Sequence, residues 1–168
     1  MATSKNTTLL AAINWALSRS VSGLQDMKYP AKRAFSISYD FADFDEMFFA
    51  QYTMAAAGTQ VVDFRSFANL IDPSGTVTAT GIAALFIAVQ SAVAGSDAVT
   101  ITLEPGASDA LAWPLTGTAP VLTIENGGVQ QIARATAFAV DATHRNLLLT
   151  NTGADAGLVT VVAVMTTI

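Results

Sequence analysis

Val99-Thr100-Ile101-Thr102-Leu103-Glu104-Pro105-Gly106 decides the fold class. Apolar residues at 99, 101 and 103 alternate with threonine, which puts them on one face of an extended strand, and Pro-Gly stops it. The same unit recurs on either side. Toward the C-terminus, the run 121–124 ends at Glu125-Asn126-Gly127-Gly128, 130–140 is longer, 146–150 stops at Asn151-Thr152-Gly153, and 158–168 follows. Toward the N-terminus, 82–90 reads as a buried strand, because a short run between Gly81 and a Ser/Ala/Gly loop suits strand length better than helix length. Short strands with Gly-containing turns at regular intervals predict a mainly β fold, an antiparallel β-sandwich or jelly-roll-like domain over residues 33–168.

The first part of that domain also reads as strands. Phe35, Ile37, Tyr39 and Phe41 alternate with small polar residues; 47–54 is apolar on both faces; 59–64 follows the Ala55-Ala56-Ala57-Gly58 turn. These three are expected to form a meander. Residues 67–71 read as a short helical turn ended by Pro73.

Residues 1–32 are expected to be a basic helix followed by an extended arm. Over 6–24, Leu9, Leu10, Ile13, Trp15, Ala16 and Leu17 cluster at three- and four-residue spacings, Thr7 or Thr8 caps the start, and Gly23 stops it. Pro30 holds Tyr29 out of helical geometry, so 27–32 is extended. Residues 1–33 carry five basic groups against one acid, while the remainder carries three against twelve. A basic segment on an acidic body fits an acidic protein surface, and five scattered cations without interleaved aromatics are a thin footprint for nucleic acid. The helix packs either on its own domain or on a neighbouring subunit. Leu9, Leu10, Ile13, Trp15, Leu17, Tyr29 and Trp113 are the candidate interface residues.

Composition points to contact between proteins. Of 168 residues, 52% are hydrophobic and 12% charged, about half the charge usual in soluble domains, so a homo-oligomer, dimer or trimer, is expected. The chain has no cysteine, which removes disulfides and thiolate metal sites. Its weakly polar run 81–89 is about half of what a membrane span needs, and the N-terminal apolar run, broken by Asn14 and Arg19, does not read as a signal peptide.

Catalytic chemistry is sparse. No phosphate-binding glycine loop, paired metal-spaced histidines or serine nucleophile motif is present. The lone His144 lies in a polar turn before a strand and reads as a turn or interface residue. Asp40, Asp43, Asp45 and Glu46 form an acidic cluster that reads as a solvated turn or a partner for the basic arm; its spacing is not that of a calcium loop. Trp113 reads as a core or interface anchor. No cofactor is expected, and no enzyme: no nucleophile, base and oxyanion set can be assembled.

Five segments occur in order: Val61-Val62-Asp63-Phe64-Arg65-Ser66-Phe67-Ala68-Asn69-Leu70-Ile71-Asp72; Gly81-Ile82-Ala83-Ala84-Leu85-Phe86-Ile87; Ile101-Thr102-Leu103-Glu104-Pro105-Gly106; Leu147-Leu148-Leu149-Thr150-Asn151-Thr152-Gly153-Ala154; and Val159-Thr160-Val161-Val162-Ala163-Val164. Together they resemble small β-sandwich virion proteins of tailed bacteriophages, in which a D-L-S-S-L-like segment, a V-R-A-like strand, a P-G-G turn and a terminal N-T-G-A-A-A-x-V-x-V strand recur in this order. This chain lacks the second glycine after Pro105-Gly106 and a basic residue near Ala84. The resemblance implies a structural protein made in the host cytoplasm and located in the virion, of the capsid decoration or cement type, contacting the major capsid protein. The alternatives are a tail, baseplate or fibre-attachment component, and a host-surface or carbohydrate-binding β module.

Overall fold

In the computed structural model, residues 9–19, 27–37, 46–68, 75–111 and 121–167 are described. The chain divides into two units, Met1–Ala42 and Asp43–Ile168. The first contains strands β1 (Leu9–Arg19) and β2 (Met27–Ile37), paired antiparallel from Leu9 with Ile37 to Arg19 with Met27.

This corrects the expected helix over 6–24: its residues 9–19 are strand, and 6–8 and 20–24 lie outside the described residues. Leu9, Ala11, Ile13, Trp15 and Leu17 also recur at every second position, so the segment satisfies both periods. A partner strand of equal length then supplies ladder hydrogen bonds to the extended form. The arm at 27–32 is extended as read, but it is paired rather than free. Residues 35–37 of the next expected strand belong to β2, and 38–41 lie outside the described residues.

The second unit contains β3 (Glu46–Met54), β4 (Thr59–Asp63), β5 (Ser66–Ala68), β6 (Thr76–Ser91), β7 (Thr100–Pro105), β8 (Leu122–Glu125), β9 (Val129–Ala139), β10 (Asn146–Asn151) and β11 (Gly157–Thr167). They form two antiparallel sheets, one ordered β4-β10-β7-β8 and the other β3-β11-β6-β5, with β9 also on β6. Apart from β5, the strands pair in nested fashion: β3 with β11, β4 with β10, β6 with β9, β7 with β8.

Two further expectations are corrected. β3 and β4 are not neighbours in a meander, because the turn at 55–58, with Ala57 at φ 57° and Gly58 N–H donating to the Ala55 carbonyl at 2.9 Å, carries the chain from one sheet to the other. Within 67–71, residues 67 and 68 belong to strand β5, where Phe67 pairs with Val77 and its ring meets Phe48 edge-on at 5.2 Å; residues 69–71 lie outside the described ones.

One hydrophobic cluster draws on the inward positions of both sheets. Val62, Ile101, Leu103, Leu147 and Leu149 come from one, and Ile82, Ile87, Val89, Val159, Val161 and Met165 from the other. Most are fully buried, each worth about 1.5–3 kcal/mol of transfer free energy. β7 shows how alternation produces this: Ile101 and Leu103 are buried while Thr102 and Glu104 are half-buried. β6 departs from it. Its residues 81–85 are buried on both faces, and Ala83 falls at a bulge between Ile82 and Ala84 in the pairing with β9.

Candidate interaction surface

The face of the five-stranded sheet turned away from the core is built from alternate residues of β3, β11 and β6. Register sets them in rows: Met47 beside Val164 and Ala84, Phe49 beside Val162 and Phe86, then Gln51 beside Thr160 and Ala88. A sheet face in contact with water normally carries polar residues. Here the first two rows are wholly apolar: Phe49 is 51% exposed and Met47 40%, Val162 and Phe86 are half-buried, and Val164 and Ala84 are buried. Only the third row turns polar, with Gln51 Nε2 donating to Thr160 Oγ1 at 3.2 Å. The sequence carried a signal for this surface in the two apolar faces of 47–54. The contributions of Phe86 and Val162 were not legible, since that requires the register.

β3 also forms the edge of its sheet: among the described residues it pairs only with β11. Its nine residues contain no proline, no lysine and no register shift, the devices that usually protect an edge. The edges β4, β5 and β8 are shorter, at five, three and four residues, and the eleven-residue edge β9 carries a register shift in its pairing with β6.

At the Met54 end, the four connections 55–58, 92–99, 126–128 and 152–156 are tied to one another. Asn151 is fully buried; its Nδ2 donates to the carbonyls of Met54, Ala55 and Asp155 at 3.2, 3.1 and 2.8 Å, and its Oδ1 accepts from Gly153 N at 3.0 Å. Asn126 Nδ2 donates to Asp97 Oδ1 at 2.8 Å while its Oδ1 accepts from Ser91 N at 2.6 Å, and Ser96 Oγ donates to Asp155 Oδ2. A side chain at Gly153 would collide with the backbone of Ala98, Val99 and Thr100. These connections and the adjoining Glu125 carry three acids, Asp97, Glu125 and Asp155, and no base.

The opposite end carries both signs. Arg145 Nε lies 3.7 Å from Asp63 and 3.8 Å from Asp109, beyond hydrogen-bond distance. His144 and Asp141 occupy an exposed turn as the sequence reading placed them. The Asp141 carboxylate accepts from His144 Nδ1 at 3.0 Å, from the Thr143 and His144 amides at 2.7 and 2.8 Å, and from the Thr143 hydroxyl at 2.9 Å. The His144 side chain first, then the Thr143 amide and hydroxyl, hold the Asp141 carboxyl well below the usual carboxylate range. This is turn chemistry: the aspartate closes a loop by bonding backbone two and three residues on.

Of the candidate interface residues, Leu9, Leu10, Ile13, Trp15 and Leu17 fall on β1 and Tyr29 on β2, and Trp113 lies outside the described residues. So do Asp40, Asp43 and Asp45 of the acidic cluster, while Glu46 opens β3. Among the described residues no three His, Asp or Glu side chains gather where they could hold a metal, and no helix is long and apolar enough to cross a membrane. Neither a protein-family model, a curated protein nor a solved structure matches the chain.

Proposed function

We propose that this protein is a non-enzymatic structural component of a phage particle, a capsid decoration or cement protein that works by adhesion. The observation that carries this reading is the outer face of β3, β11 and β6, where Met47, Phe49, Phe86 and Val162 form contiguous apolar rows on a charge-poor domain. A surface of that kind is a contact surface, and the polar groups of the described loops are largely engaged in tying loop to loop.

The nested pairing supports the same reading. We read the sheets ordered β3-β11-β6-β9 and β4-β10-β7-β8 as those of a jelly roll, the two-sheet sandwich that recurs in viral capsid and lectin domains. Fold alone carries no function. The basic residues of 1–33 suit contact with acidic surfaces on a neighbouring copy or on the major capsid protein.

The test is addition of purified protein to expanded phage heads that lack it. Saturable co-sedimentation and raised resistance of the heads to heat are expected, both weakened by Phe49→Ser. Binding to tails but not heads would move the protein to the tail or baseplate. Binding to neither, or equal stabilisation by Phe49→Ser, would refute the adhesive assignment.

A further inference from the structure

We infer that two copies of this protein join edge to edge through β3, as an antiparallel β3–β3 pair about a two-fold axis at Ala50. The inference deepens the homo-oligomer expected above and does not depend on which particle the protein serves.

Three observations lead there. β3 is longer than the edge strands β4, β5 and β8, and unlike the eleven-residue edge β9, whose pairing with β6 is broken by a register shift, it pairs without interruption and contains no proline or lysine. Its sequence is self-complementary in the antiparallel sense. With Ala50 on the axis, Phe49 faces Gln51 of the second copy on the outer face, Met47 faces Thr53, and Phe48 faces Tyr52 on the core side. Its one charged residue, Glu46, meets Met54, so no like charges oppose each other. The Phe49–Val162–Phe86 row of each copy then continues into the Gln51–Thr160–Ala88 row of the other, and the two Phe49 residues become diagonal neighbours across the new pair.

Charge gives the third argument. The two bodies are acidic and repel, and the uncharged stretch of β3 is a place where they can approach. Antiparallel pairing brings the Glu46 end of each β3 to the Met54 end of the other. That end of the second copy carries Asp97, Glu125 and Asp155 and no base, while residues 1–33 carry five basic groups against one acid.

Two double variants and a cysteine test this on the full-length protein. Phe49→Lys with Gln51→Lys sets lysine opposite lysine at both cross-strand positions, whereas Phe49→Lys with Gln51→Glu sets lysine opposite glutamate. Both lose Phe49 equally. Analytical ultracentrifugation should show a wild-type dimer, and the dimer dissociation constant of the lysine–lysine variant should exceed that of the lysine–glutamate variant about tenfold or more. The chain has no cysteine, so Ala50→Cys provides a unique thiol; mild oxidation should convert it to a covalent dimer with an unchanged circular dichroism spectrum. A monomeric wild type, equal dissociation constants in the two variants, or an oligomer in which Ala50→Cys fails to cross-link would overturn the pairing. Loss of head binding with the dimer intact would instead count against the particle assignment alone.

Discussion

Replacing Asn151 with alanine tests whether the Met54 end is held by one buried amide. Asn151 is fully buried at the end of β10, and its side chain makes four hydrogen bonds to two segments of backbone, Met54-Ala55 and 153–155. The bond to the Met54 carbonyl is buried, and leaving that acceptor unpaired costs about 1–3 kcal/mol; the other three are partly reached by water and are worth about 0.5–1 kcal/mol each. A loss of about 2.5–6 kcal/mol follows, a large share of the 5–15 kcal/mol available to a typical domain. At about 2–4 °C per kcal/mol for a chain of this size, the melting temperature should fall by about 5–24 °C. The assay is thermal unfolding followed by circular dichroism at matched protein concentration. Asn151→Asp adds a sharper test. It keeps the acceptor for Gly153 N but turns a buried carboxylate toward three carbonyl oxygens, so it should be worse than alanine at pH 7. Its folded pKa is then raised above the unfolded value, so relative to wild type it should recover stability as pH falls from 7 toward 5. A loss under about 1 kcal/mol for alanine, or an aspartate variant no worse than alanine at pH 7, would refute the account.

Gly153→Ala should cost about 2 kcal/mol or more by equilibrium urea unfolding, because the neighbours its Cβ would meet are backbone, with Thr100 N at 2.7 Å and the Val99 Cα at 2.8 Å. Ala57→Gly should raise stability by about 0.5–1 kcal/mol in the same assay, since Ala57 is exposed and sits at φ 57°, where glycine carries no penalty. Asp141 should titrate below the ordinary aspartate value of about 3.9 when followed by carboxyl NMR, and 0.5 M salt should move it back upward; its contribution is complete above that unfolded value and lost as pH falls through the lower folded one. His144→Ala should change stability by no more than about 0.5 kcal/mol by thermal unfolding, as expected for an exposed turn residue.

Most strands of the second unit were legible because one face of each is buried, and burial on one face writes alternation into the chain: Ile101 and Leu103 against Thr102, Leu147 and Leu149 against Leu148 and Thr150. Where burial takes both faces, as at 81–85, length and flanking glycine had to decide instead. The hairpin of β1 and β2 was missed because Leu9 to Leu17 satisfies helical and strand spacing at once, and only a partner strand separates the two. Sheet membership was not legible, since nothing in Ala55-Ala56-Ala57-Gly58 tells a turn within a sheet from one between sheets. The contact surface was half legible. β3 announces its second apolar face, but Phe49, Val162 and Phe86 become one surface only through long-range register.

Nested pairing also dictates an order of assembly. β7 and β8 close the smallest loop, and each pair outside them shortens the loop the next must close, until Phe49 meets Val162 last. β11 is the last of these strands to leave the ribosome, yet it belongs between β3 and β6. Until it arrives, two apolar strands flank an empty slot, and any extended apolar segment, including β11 from another chain, can fill it. Folding dominated by such distant pairings runs in milliseconds to seconds, long enough for chains at high local concentration to meet. The yield of native protein should therefore depend on how crowded the nascent chains are, and on any chaperone that keeps that slot open for its own strand.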